Sequence, residues 1–267
     1  MNAFDRVAGR PNYTGDCILD ATSSRGRSFD VLIFADSRGV LLDRPQASWT
    51  VKLFRDLRRQ GVSAMLAVRP KDQTGLFTLV NFLERSRLRF KYAVCQAGLI
   101  EFTPRTEALL ADLIVQKNVL FPDTDLQTRR LDRSLVLKPA GSGGAEAAYE
   151  TTWALDVDVP AVTDAFVGTL ERHFAYTLLL GALELDPRAK IARLRPQSFF
   201  DQVCRSNRCL KSLAERSFAV HYVEPIKGWA SDSTAFVHDG AHYTPAMHDR
   251  MYRAVKSVLL ANVPLVS

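Results

Sequence analysis

Short apolar runs that alternate with amphipathic stripes constrain this chain more than any other feature. Phe29 to Ala35 is a run of the first kind, with Val31, Leu32, Ile33 and Phe34 in succession. Between Ser48 and Gln60, Trp49, Leu53 and Leu57 recur at helical spacing with arginines among them, which places the three on one helix face. Val62 to Val68 is a second apolar run, stopped by Pro70; Leu76, Leu79, Val80 and Leu83 then resume helical spacing after Gly75. Strands that are apolar on both faces suit a sheet covered on both sides, the condition met by stacked βαβ units. The rhythm predicts an α/β fold.

The same rhythm runs to the end of the chain. Tyr92 to Gln96 reads as a third strand, and Thr103-Pro104 as the cap and first turn of a helix through about Lys117. A helix is expected over Val162 to Leu183 and a fourth strand over Lys190 to Leu194, ended by Pro196. Asn207 to Glu215 follows as a helix and Phe218 to Val223 as a fifth strand. Pro245 to Leu260 closes the chain as a helix whose buried stripe is Met247, Met251, Val255 and Leu259. Leu120 to Pro160 does not fit. It holds Pro122, Pro139 and the run Gly141-Ser142-Gly143-Gly144, and reads as an insertion at about 120–160, a lid or interaction hairpin on a single domain spanning 1–267.

Composition narrows the function classes. At 267 residues, 47% of them apolar, the chain can bury one large core. Its longest apolar stretch, Phe174 to Leu183, falls short of the roughly 20 residues needed to span a bilayer. The N-terminal residues lack the apolar segment of a secretory signal, so a cytoplasmic location is expected, with Cys17, Cys95, Cys204 and Cys209 reduced. The formal charge of +6 would suit an anionic partner. Yet the basic residues are scattered, and the Arg85 to Lys91 cluster, interrupted by Leu88 and Phe90, reads as a solvated helix end entering a strand. No nucleic-acid motif is present. The cysteines have no zinc spacing, and the glycine run lacks the Gly-Lys-Ser/Thr of a phosphate loop, so neither metal nor cofactor is expected.

The chemistry-bearing residues lie near the two ends. Ser37, in Phe34-Ala35-Asp36-Ser37-Arg38-Gly39, stands where the first apolar run stops; Asp239-Gly240-Ala241-His242 precedes the last helix. A serine hydroxyl is a weak nucleophile until a base takes its proton, and an imidazole is a better base when a carboxylate fixes its tautomer. Ser37, His242 and Asp239 supply all three groups, and a turn of that length lets Asp239 meet one ring nitrogen while the other faces Ser37. Such a set supports acyl transfer to water or to an alcohol.

Together these residues resemble the SGNH (GDSL-type) hydrolase family. Ala35-Asp36-Ser37-Arg38 is similar to its first block, with alanine in place of glycine, and Asp239-Gly240-Ala241-His242-Tyr243-Thr244-Pro245 is similar to its last. The resemblance spans Phe29 to about Leu260 outside the suspected insertion. It implies a three-layer α/β/α, flavodoxin-like architecture with a mainly parallel five-stranded sheet. It also implies Ser37 as nucleophile, His242 as general base and acid, and Asp239 as the orienting carboxylate, hydrolysing a small-molecule, glycan or lipid acyl ester through an acyl-enzyme. The implied oxyanion hole uses the Ser37 and Gly75 backbone N–H groups and an asparagine side chain. In Gly98-Leu99-Ile100-Glu101 the asparagine position is Ile100, which donates nothing.

The neighbouring residues carry smaller expectations. Gln96 could lend an amide to the oxyanion but is expected to face the core. Arg38 and Arg105 would give an anionic substrate a positive rim, or else pair with Asp36 and Glu101. His238 and His248 lack the spacing to replace His242. Three other readings share these residues: an acyltransferase with the same triad, a non-catalytic scaffold that keeps the fold, and an α/β-hydrolase whose nucleophile elbow is Ala35 to Gly39. The last is disfavoured because Ser37 follows the first clear strand and Asp239 sits only three residues from His242.

Overall fold

The computed structural model describes residues 12–14, 17–21, 28–41, 43–68, 75–108, 110–111, 114–115, 127–138, 147–185, 197–224 and 241–264. Five strands form the parallel heart of the main sheet: β3 (Ser28–Ala35), β4 (Ala64–Val68), β5 (Arg89–Gln96), β8 (Tyr176–Leu180) and β9 (Val220–Val223). A short hairpin, β1 (Asn12–Thr14) and β2 (Cys17–Ala21), extends the sheet antiparallel to β4, so that the order is β1-β2-β4-β3-β5-β8-β9. Sequence periodicity had not indicated this edge hairpin.

Within the parallel part the chain starts in the middle at β3, steps outward to β4, then crosses back past β3 to β5, β8 and β9. The reversal leaves a crevice between the C-terminal ends of β3 and β5, where open α/β sheets bind ligands.

Alternation along β3 divides the core. Leu32 and Phe34 pack on one face with α2 (Leu76–Arg85), α4 (Pro160–His173) and the C-terminal half of α5 (Gln197–Glu215). Val31, Ile33 and Ala35 pack on the other face with α1 (Trp49–Arg59) and α6 (Pro245–Asn262). The result is three layers, α/β/α. Trp49, Leu53 and Leu57 are at most 1% exposed, and a side chain buried so fully contributes about 1.5–3 kcal/mol.

Two assignments along the chain need correction. The helix expected over Val162 to Leu183 ends at His173, and Tyr176–Leu180 is the fourth strand of the parallel set. Its residues are apolar enough for either state, and parallel pairing with both β5 and β9 decides the matter. The expected strand Lys190 to Leu194 lies outside the described residues. The helix expected from Thr103-Pro104 through about Lys117 starts later: Thr103 closes the short helix α3 (Leu99–Phe102), its hydroxyl donating back to the Leu99 carbonyl at 3.0 Å, and residues 107–108, 110–111 and 114–115 are helical as expected. Two expected elements have different lengths: α5 begins at Gln197, ten residues before the expected Asn207, and β9 is confined to Val220–Val223.

Where the rhythm broke, the chain forms a separate antiparallel pair, β6 (Gln127–Lys138) and β7 (Ala147–Asp156), whose register shifts between Arg130 and Ser134. Among the described residues, its base is tied to the main body by backbone and side-chain bonds and by Leu155, which joins the main core. Arg105 and Trp153 exchange backbone hydrogen bonds at 2.9 and 3.3 Å, and Arg205 of α5 reaches Asp156 and Asp158.

Candidate active site

β3 delivers its last residues to the crevice and stops at a single 3₁₀ turn, Ser37–Gly39. Asp36 makes that turn. Its carboxylate accepts from the Arg38 backbone N–H at 2.9 Å and from the Arg38 guanidinium at 2.9, 3.1 and 2.6 Å, while its own N–H donates to the Gln96 carbonyl at 3.0 Å. The pair is buried, with Arg38 at 4% and Asp36 at 6% exposure, whereas Ser37 between them is only partly buried. Folding the flanking charges inward leaves the hydroxyl as the group presented.

His242 comes from the other end of the chain. It precedes α6, which starts as expected at Thr244-Pro245, with the Thr244 hydroxyl accepting from the Met247 N–H. Helix α6 is fastened to α1: the Trp49 N–H donates to His248 Nδ1 at 3.2 Å, and Lys256 and Tyr252 both donate to Asp56. With that helix docked, His242 Nε2 lies 2.8 Å from Ser37 Oγ across 205 positions of sequence. This is hydrogen-bond length for a nucleophile and its base. Asp239, the third expected member, lies outside the described residues, as does His238.

Behind the pair runs a buried network that sequence reasoning did not identify. Tyr243, 1% exposed, lies against Arg38; its hydroxyl accepts from the Leu183 N–H at 3.4 Å and faces Gln96 Nε2 at 3.5 Å. Gln96 Oε1 accepts from the Trp49 indole N–H at 3.0 Å. Gln96 therefore faces the core as expected, and its amide is engaged there. Burial draws the Arg38 guanidinium toward a lower pKa, but the Asp36 carboxylate and Tyr243 outweigh it and hold the group above its ordinary value. Burial pushes the Tyr243 hydroxyl up and the His248 imidazole down to about 4, helped by the charge of Lys52. His248 is thus a neutral acceptor at ordinary pH.

The second wall of the crevice follows β5. Gly98, in the left-handed region at φ 105°, turns the chain into α3, and a Cβ there would be strained whatever the space. Glu101 then points inward, 1% exposed, and Oε1 accepts from the Phe77 N–H at 3.1 Å at the start of α2. The helix begins at Gly75, where an added Cβ would fall 2.0–2.3 Å from the Glu101 carboxyl group. A glycine is what lets this carboxyl group seal the helix N-terminus. Burial pushes the Glu101 carboxyl up to about 7 against the opposing pull of the Phe77 and Leu76 N–H groups and Arg105, and Oε2 has no hydrogen-bond partner.

Neither arginine forms an open rim. Arg38 is paired with Asp36 inside the turn, and Arg105, 8% exposed, donates to the Ile100 carbonyl at 3.0 Å. Among the described residues no group of three or more His, Cys, Asp or Glu side chains is placed to hold a metal ion, and no helix is long and apolar enough to cross a membrane.

No protein-family model and no curated protein matches the chain. Solved structures similar to it include SGNH and GDSL hydrolases, esterases and lipases. One is TesA, at TM-score 0.46 and 13% identity, covering 89% of this chain and 99% of that one. Another is the psychrotrophic esterase EstA from Pseudoalteromonas sp., at 0.45 and 13%, covering 88% and 100%. A third is AlinE4, an esterase of the SGNH-hydrolase family, at 0.41 and 15%, covering 90% and 100%. Likeness at this level carries no assignment of activity, which has to rest on the residues themselves.

Proposed function

We propose that this chain is a serine ester hydrolase of the SGNH type, one domain with the β6–β7 hairpin as an insertion, acting on a small-molecule acyl ester. The observation that carries the reading is the 2.8 Å approach of His242 Nε2 to Ser37 Oγ at the crevice between β3 and β5. In this reading Ser37 Oγ adds to the acyl carbonyl carbon as its proton passes to His242. Collapse of the tetrahedral oxyanion expels the alcohol, which takes that proton. Water then repeats the sequence on the acyl-enzyme, releasing the acid and restoring the hydroxyl. Asp239 orients the imidazole, and the Ser37 and Gly75 N–H groups receive the oxyanion. With Ile100 at the third donor position, the rate is expected to lie about 10²–10³ below that of a fully equipped site.

A serine-directed fluorophosphonate tests the reading: it is expected to label Ser37 in the wild type and not in Ser37→Ala. On 4-nitrophenyl acetate, Ser37→Ala and His242→Ala should each lower kcat by about 10⁴–10⁶. A wild type that is neither labelled nor faster than these variants would leave a scaffold with a retired site.

A further inference from the structure

A pocket opens beside the site. Neither Ser37 nor His242 lines it, but residues adjacent to both do: Arg38 follows the nucleophile, and Ala241 and Tyr243 bracket the base. The remaining wall is apolar. Leu99 comes from α3, Leu183 and Leu185 from the segment after β8, and Phe199, Phe200 and Val203 from the start of α5. Each of these six side chains is 9% exposed or less, so the wall is built from packed core. The free space has room for a water-sized sphere and little more.

The polar part of the wall is Arg38. Its guanidinium is held bidentate by Asp36, and Nη1 is buried without a hydrogen-bond partner. An alkyl chain cannot displace that ion pair without leaving two charges buried apart. The pocket therefore accepts a little apolar volume and resists more.

We infer that this pocket receives the acyl half of the ester and restricts it to the shortest uncharged chains, an acetyl group above all. The inference rests on the hydrolase reading above. An acyl group esterified to Ser37 is one residue from the Arg38 wall and beside the Ala241 and Tyr243 wall.

The experiment compares kcat/KM for 4-nitrophenyl acetate, butyrate and octanoate in the wild type and in Phe200→Ala and Val203→Ala, each checked for folding by its melting temperature. In the wild type, acetate or butyrate should exceed octanoate at least tenfold. Each folded variant should raise the octanoate-to-acetate ratio at least tenfold, with Val203→Ala as the milder change should Phe200→Ala not fold. Octanoate turned over as well as acetate by the wild type, or a ratio unmoved in a folded variant, overturns the inference while leaving the hydrolase reading in place. Absence of any ester cleavage, together with absence of fluorophosphonate labelling, overturns both.

Discussion

The two loops that border the crevice do opposite things with similar residue types. After β3, a carboxylate and a guanidinium fold into the protein and pair, leaving Ser37 half-exposed between them. After β5, the carboxyl group of Glu101 also turns inward, but it closes the start of α2, and the neighbouring position, Ile100, carries no polar group. One wall presents a hydroxyl to an imidazole; the other uses its polar group to hold a helix. In both, an inward-facing carboxyl group fixes the backbone. What differs is whether a functional group is left facing the substrate, and this predicts a site rich in nucleophile and poor in oxyanion donors.

Ile100→Asn should remove the difference between the walls. If its amide reaches the oxyanion, kcat should rise by about 10²–10³, and an unchanged kcat would show that the α3 wall stands too far off to take part. Tyr243→Phe probes the opposite wall. It deletes the hydroxyl that Leu183 and Gln96 approach and that lies against Arg38, so the residue next to His242 loses its polar anchors. Loss of about tenfold in kcat with KM unchanged is expected, and an unaltered kcat would mean that the base is positioned from elsewhere.

Glu101→Gln should change stability more than rate. The carboxyl pKa is about 7 in the fold against an ordinary 4.5, so the folded protein holds this proton more tightly than the unfolded chain. Its contribution is full below about pH 4.5 and declines by up to about 3 kcal/mol as pH rises through 7. His248 works the other way, since its lowered pKa favours the fold as pH rises from about 4 to 6.5. Urea unfolding of wild type and variant across pH 4–8 isolates the Glu101 share as their difference. The glutamine keeps an acceptor for the Phe77 N–H and should flatten that share, whereas parallel curves would show that the burial of Glu101 carries no such cost.

The approach of Ser37 and His242 was legible in the sequence because both residues fall at element ends. Ser37 terminates an unbroken apolar run and His242 precedes a Thr-Pro helix start, both local signals that tertiary contacts do not override. The fold class followed from strand runs buried on both faces. The error at Tyr176–Leu180 has a physical cause: a short apolar stretch with a free helix before it has no periodicity of its own, and only pairing with β5 and β9 reveals a strand. The inward aim of Glu101 was illegible for a related reason. Pairing with Arg105 is a contact between near neighbours in sequence, whereas capping α2 from 24 residues away depends on the packed fold. The contacts that join Tyr243, Gln96 and Trp49 left no trace, because nothing in their spacing indicates that three elements will bring them together.

The long span between hydroxyl and imidazole has a consequence for biogenesis. In the hydrolase reading, the alcohol stays chemically ordinary while the ribosome extends the polypeptide, since its proton acceptor belongs to a segment made more than two hundred residues later. On that reading, reactivity would switch on only when α6 settles against Trp49 and Asp56, so competence to attack an ester would coincide with the docking of α6 onto the sheet.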